Sequence, residues 1–218
     1  MKTVVKHINN EGLFQVEDIL LALDILAQGG IIAFPTDTVY GLAALPQRED
    51  AIQRLYDIKG RSSKKAIAIL VGRREDVCQI ASHIPEYAQH LMDTFWSGAL
   101  TIVLERNTSL PHTLSPKPTI GVRMPNHRGA LQLLNLSGPL AVTSANLSEQ
   151  ASATNAAMVL AQIGDRFELL LDGGETPAGV SSTVVDCTQA EVQILREGPI
   201  SAKEITRISK VKRSIIIP

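Results

Sequence analysis

Short apolar runs that alternate with helix-length amphipathic stretches constrain the fold of this chain more than any other feature. Ile31-Ile32-Ala33-Phe34 ends at Pro35, the pattern of a buried strand handing over to a loop. Ahead of it, Val16, Ile19, Leu20, Leu23 and Leu26 recur at helical spacing, and Gly29-Gly30 follows where a C-terminal cap stops a helix. That spacing predicts a helix from about Gln15 to Gln28. Ala51, Ile52, Leu55 and Ile58 form a second stripe ending at Gly60, and Ala66 to Val71 reads as the next strand.

The alternation continues to the far end. Pro85 opens a helix through Phe95, and Leu100 to Leu104 and Ile120 to Arg123 read as strands. Pro111, Pro116 and Pro118 keep the loop between those strands irregular. Pro139 to Thr143 is strand-like, Thr154 is placed to cap a helix through Ile163, and Leu169 to Asp172 is strand-like again. Ser182 to Asp186 and Val192 to Leu195 complete the strands, and Ser201 with Glu204 makes a capping box for a last helix. Strands alternating with helices argue for an α/β domain with a twisted, mixed or largely parallel sheet flanked by helices. In such sheets ligands usually sit beyond the strand ends.

A chain of 218 residues with 44% hydrophobic content buries one sizeable core, which argues for one domain. We expect an N-terminal segment at 1–14, the domain at 15–205 and a tail at 206–218. No run approaches the roughly 18 apolar residues that span a bilayer, and the start lacks a signal peptide's apolar core, so a cytoplasmic location with no membrane partner is expected. Cys78 and Cys187 stand far apart in no CxxC pattern and are expected to be buried, inert thiols. His7, His83, His90, His112 and His127 show no metal spacing, which favours surface or structural roles and leaves any metal ligands unknown.

The net charge is −1, yet Arg54, Lys59, Arg61, Lys64, Lys65, Arg73 and Arg74 are interrupted by Asp57 alone among acids up to Arg74. This is a local anion-attracting segment. Neither GxxxxGK[ST] nor GxGxxG occurs, so side chains must hold any phosphates. Lys59 to Lys65 offers them: lysine supplies a mobile point charge and arginine a planar fork. Equally, Lys59 could merely complement a helix dipole above a solvated basic turn. Three further segments lie at strand termini and carry hydroxyls or amides: Pro35 to Gly41, Thr143 to Ser148, and Ser181 to Thr183. Each is as readily a plain turn when taken singly. Arg123 and Arg196 close strands, where a guanidinium can pair with carboxylate or phosphate.

Taken together and in order, PTDTVYGL, KGR with its downstream lysines, GVRMP, TSANLS, GVSSTVVD and ILREGPIS resemble the YrdC (TsaC) family of threonylcarbamoyl-AMP synthases. The resemblance covers roughly residues 15 to 205. It implies a YrdC-like domain with a concave basic cleft. It also implies conversion of L-threonine, bicarbonate and ATP to threonylcarbamoyl-AMP and pyrophosphate, usually with Mg²⁺. The product would feed a tRNA threonylcarbamoyl transferase machinery, and contact with tRNA or other RNA is left open. Lys59, Arg61 and Lys65 resemble the phosphate ligands, the first two being the catalytic pair, with Thr119, Ser144, Ala145, Asn146 and Arg196 completing the nucleotide site. Thr38, Arg123, Thr143 and Ser182 resemble the threonine pocket, assisted by Thr36. Lys59 and Arg61 are expected in solvent-reachable positions.

Departures from the family pattern are Ser97 and Ala99 where prolines are common, Glu149 where SANxSG has glycine, and Ser181 where glutamate often stands. Longer relatives continue into a C-terminal domain that this chain is expected to lack. Two rival readings are a paralogue with another carbamoyl or adenylate chemistry and a non-catalytic RNA-binding module. Against the second, the four Phe, three Tyr and one Trp are scattered rather than interleaved with basic residues.

Overall fold

The computed structural model describes residues 2–210. Its strands, in chain order, are β1 (Val4–His7), β2 (Ile32–Phe34), β3 (Gly41–Ala44), β4 (Ala68–Leu70), β5 (Ala81–His83), β6 (Leu100–Arg106), β7 (Thr119–Arg123), β8 (Leu140–Ser144), β9 (Leu169–Asp172), β10 (Thr183–Asp186) and β11 (Gln193–Arg196). The helices are α1 (Val16–Ala27), α2 (Glu49–Lys59), α3 (Val77–Ile80), α4 (Glu86–Phe95), α5 (Arg128–Ser137), α6 (Ala156–Ile163) and α7 (Ala202–Ser209). The predicted tail is therefore helical as far as Ser209, and 211–218 lie outside the described residues.

One sheet runs β1-β9-β2-β3-β8-β4-β7-β6-β10-β11, with β5 beside β6. It is mixed: β1/β9, β2/β9, β4/β7 and β6/β10 are parallel, while the β2/β3, β3/β8, β4/β8, β6/β7, β5/β6 and β10/β11 pairs are antiparallel. The fully buried runs at β2 and β3 are apolar throughout because helices cover both of their faces. On one face, α1 (Ile19, Ala22, Leu26) and α5 (Ala130, Leu133, Leu134) pack against Phe34, Leu140, Leu169 and Leu171. On the other, Ile52 and Leu55 of α2, Leu91 of α4, Val159 of α6 and Ile205 of α7 pack against Ile69, Ile102 and Val122.

Local chemistry explains the helix ends. Gly60 closes α2 in the left-handed conformation, φ 58°. Ser201 and Glu204 form the expected capping box on α7. The cap of α6 is Asn155, whose side chain accepts from Met158 N–H, and not Thr154. The Thr154 hydroxyl donates instead to Glu175, which removes it from the capping role. Cys187 is buried as expected, but Cys78 is exposed, because its neighbours Val77 and Ile80 are the residues of α3 that turn inward.

One turn is strained. Gln150 N–H donates to Leu147 O at 3.1 Å, closing a turn whose third residue, Glu149, holds φ 68°. A β-carbon there costs roughly 1–2 kcal/mol, whereas glycine adopts this region freely. Glu149→Gly should therefore raise stability by about 0.5–1 kcal/mol after its extra unfolded-state entropy is counted. Urea denaturation should give a higher midpoint at unchanged slope, and a lower midpoint would contradict this.

Candidate functional site

Eight of the predicted residues meet around one cavity of about 340 Å³: Thr36, Thr38, Arg61, Arg123, Thr143, Ser144, Ser182 and Arg196. Its floor is a face of the sheet. Ala68 and Leu70, Gly121 and Arg123, and Thr101 and Val103 stand two residues apart on their strands, so each pair points the same way. They are also cross-strand partners, with Ala68 beside Val142, Leu70 beside Arg123, Gly121 beside Val103 and Thr101 beside Val184. Small side chains keep the floor low: a β-carbon on Gly121 would lie 3.1 Å from Thr101 Cγ2 and 3.5 Å from Ala68 Cβ. The cavity opens over this face rather than beyond the strand ends, a correction to the expectation from alternation. It lies past Leu70 and Val142, which contact both the cavity and the core beneath α1 and α5.

Arg123 is buried, and each of its guanidinium nitrogens is engaged. Nε donates to Gly98 O at 2.9 Å, and the two Nη groups donate to Thr38 Oγ1 at 2.7 Å and Asp37 Oδ1 at 2.6 Å. The fork is thereby fixed in orientation while N–H donors are left over for an incoming carboxylate. Asp37 in turn accepts from Asn126 N–H at 3.0 Å. Thr36 Oγ1 donates to Val39 O at 2.7 Å, which folds the Pro35–Gly41 loop and presents the Thr38 hydroxyl to Arg123. Opposite, Ser182 Oγ is 2.8 Å from Thr101 Oγ1, and Arg196 donates to Ser182 O through Nε (3.1 Å) and Nη2 (2.9 Å).

Lys59 is 2% exposed, so the expectation of a solvent-reachable ammonium fails. As the last residue of α2 it turns inward, donating to the backbone carbonyls of Ser144 and Asn146, with Ser144 Oγ at 3.4 Å and Asn146 Oδ1 at 3.3 Å. It thus stands beneath the Thr143–Ser148 loop. Asn146 clamps that loop further through Nδ2 to Leu147 O (2.7 Å) and Gln150 O (2.8 Å). Arg61 is half-buried at the cavity wall and donates to Lys65 O and Ala66 O.

The electrostatics follow from these partners. Among the described residues, Lys59, Arg61 and Arg196 give their hydrogen bonds to carbonyl or hydroxyl oxygens, and Asp37 on Arg123 is the one carboxylate paired with the four cations. Burial pulls all four below their ordinary values. Arg61 additionally depresses Lys59 and Arg196, while Arg196 depresses Arg123. Three of the four thus feel a neighbouring cation, as in a pocket that attracts anions.

Other predicted residues stand outside the lining. Ala145 is buried, its N–H donating to Tyr40 O. Lys65 is exposed, and Thr119 lines a separate hollow with Glu105, Arg106 and Thr188. Much of the basic segment is also neutralised: Arg54 pairs with Glu168 and Arg74 with Asp93, so the anion-attracting part narrows to Lys59–Lys65. His127 caps α5 and His112 meets Arg106, both structural roles. Asp37 and Thr101 were missed. The first lies inside a motif already singled out, and the second is legible as the cavity-facing alternate of Val103.

Lys59 lends itself to a pH test. Burial beside Arg61 lowers it from 10.5 to about 7, so between those values the folded state holds fewer protons than the unfolded chain. The cost of the buried charge is fully present below the folded value and is relieved as pH rises toward the unfolded one. Relative to Lys59→Met, wild type should gain stability from about pH 7 to about 10.5 in urea denaturation. A pH-independent difference would contradict the placement.

A family model named Sua5/YciO/YrdC, described as telomere recombination, matches residues 24–198. A threonylcarbamoyl-AMP synthase of Pyrococcus abyssi is 38% identical over 192 residues, covering 87% of this chain and 56% of that protein. The synthase of Bacillus subtilis is 38% identical over 193 residues, covering 86% and 55%. The chain thus spans just over half the length of these two relatives. The crystal structure of P. abyssi Sua5 complexed with L-threonine superposes with a TM-score of 0.89 at 35% identity, covering 95% of this chain and 61% of that one. A mixed sheet with a cation-ringed cavity on its open face, and a match through every segment that builds that cavity, place this chain in the Sua5/YciO/YrdC family.

Proposed function

We propose that this chain is an L-threonylcarbamoyladenylate synthase, a nucleotidyltransferase that makes threonylcarbamoyl-AMP from L-threonine, bicarbonate and ATP for modification of tRNA adenosine. The observation that carries the reading is the clustering of the cations Lys59, Arg61, Arg123 and Arg196 around one cavity with a single paired carboxylate. The names of the relatives and the threonine held by P. abyssi Sua5 support the same choice.

The chemistry brings anions together. Threonine's amine adds to bicarbonate carbon with loss of water, giving a carbamate. A carbamate oxygen then attacks the α-phosphorus of ATP, the bond to the bridging oxygen of the β-phosphate breaks, and pyrophosphate leaves. Fixed cations lower the repulsion at each stage, so positioning and charge stabilisation suffice without a protein nucleophile. Arg123 takes the amino-acid carboxylate with its remaining donors, with Thr36, Thr38, Thr143 and Ser182 shaping that end. Arg61 and Arg196 take phosphate oxygens, with Ser144 near them and Lys65 at the rim. Lys59 acts from below, through the loop it holds, and a bound polyanion raises its proton affinity again. Ala145 and Asn146 supply backbone support rather than charge, whereas Thr119 stands apart in its separate hollow.

Mg²⁺ enters on the nucleotide. Among the described residues no cluster of three or more His, Cys, Asp or Glu is set to hold a metal, and Asp37 is tied to Arg123, so the protein's own donors do not fit a resident ion. Mg²⁺ commonly keeps its waters and binds through substrate phosphates. No helix among the described residues is long and apolar enough to cross a membrane. The labile product would pass to a tRNA threonylcarbamoyl transferase machinery.

The test is pyrophosphate release from ATP, Mg²⁺ and bicarbonate with and without threonine. Wild type should require threonine, and Arg61→Ala should lose roughly 100-fold in rate, the scale of one lost charge-stabilising donor. Its melting temperature should barely move, because the side chain gives bonds only to a surface loop. Threonine-independent turnover, or equal losses of fold and rate, would refute the assignment.

A further inference from the structure

Glu149 sets how tightly the phosphate end of the cavity holds its anion, we infer, by latching Lys65 to the opposite loop. Two loops flank that end: Arg61 to Ala66 leaving α2, and Ser144 to Gln150 leaving β8. Their bases are locked together by Lys59, whose Nζ binds the carbonyls of Ser144 and Asn146 and whose own carbonyl accepts Ser148 N–H at 2.9 Å. Their tips meet differently. Lys65 Nζ lies 3.9 Å from Glu149 Oε1, an exposed ion pair spanning the gap between the loops.

The glutamate occupies this place at a backbone cost. Its φ of 68° is a conformation that glycine adopts freely and other residues rarely do. A glycine would leave Lys65 without this partner. Glutamate instead places a negative charge beside Lys65, the cation at the rim where a polyphosphate would enter. Incoming phosphate must compete with this carboxylate for Lys65, so the pair weakens binding and speeds release of the anionic product. Because the Glu149 side chain is 85% exposed, the effect is small and screened by salt. This inference rests on the nucleotide reading of the cavity.

The experiment is calorimetric titration of the full chain with inorganic pyrophosphate and, separately, ATP. At low ionic strength Glu149→Gln should bind pyrophosphate about 1.4-fold to fivefold more tightly than wild type, the range of one exposed ion pair. The gain should fade near ~1 M salt, where screening lengths fall to about 3 Å. In a Lys65→Gln background the same substitution should change nothing. Glu149→Gly should reproduce the tighter binding, which separates the charge from the backbone strain that Glu149→Gln retains. Unchanged or weaker binding by Glu149→Gln, or an equal gain without Lys65, overturns the latch while leaving the nucleotide reading in place. If wild type and every variant bind neither pyrophosphate nor ATP, the nucleotide reading fails and the latch falls with it.

Discussion

Buried cations answered by dipoles, instead of by carboxylates, are the constraint on which the rest of this structure depends. The Lys59 ammonium is surrounded by oxygens of Ser144 and Asn146, the Arg61 guanidinium faces the carbonyls of Lys65 and Ala66, and Arg196 faces that of Ser182. Carbonyl dipoles stabilise a cation without cancelling its charge, so the field survives into the cavity. Arg123 is the exception, and its partner Asp37 fixes the fork while leaving donors free. The chain as a whole is nearly neutral, which makes this local imbalance a matter of placement and not of composition.

Placement comes from the way helices are distributed over the sheet. On one face α1 and α5 reach as far as Val142 of β8 and Leu70 at the end of β4, and these two residues mark where their cover ends. Beyond that line β4, β7, β6 and β10 show the same face uncovered, floored by Ala68, Gly121 and Thr101. The opposite face is closed by α2, α4, α6 and α7, so the open half can be spared for a ligand without leaving the core exposed. The loop leaving α2 and the ends of β7 and β11 then bring Arg61, Arg123 and Arg196 to one rim, which is how residues as distant in sequence as Thr36 and Arg196 share a cavity.

Much of this was legible before any coordinates. The stripes of α1 and α2, the glycine after each, and the capping box of α7 are local signals, and local signals survive folding. What failed was non-local. The strands β1 and β3 were not recognised: β1 alternates weakly with charged residues at an edge, and Gly41-Leu42-Ala43-Ala44 carries no β-branched residue to mark it. Helix α5 was also overlooked, its buried Ala130, Leu133 and Leu134 being too few to declare a stripe. At the site, ordered motifs pointed to Arg123, Ser182 and Arg196. Sequence could not tell that the ligand cavity lies on the sheet's face, that Lys59 turns inward, or that Asp37 pairs with Arg123, because each depends on which strands become neighbours.

The most direct measurement is a crystal structure with L-threonine and a non-hydrolysable ATP analogue bound together. The triphosphate should lie within hydrogen-bonding reach of the Arg61 and Arg196 guanidinium groups, with the threonine carboxylate on Arg123, all above the floor of Ala68, Gly121 and Thr101. Both ligands ordered elsewhere on the protein, with that face of the sheet bare, would contradict the central claim.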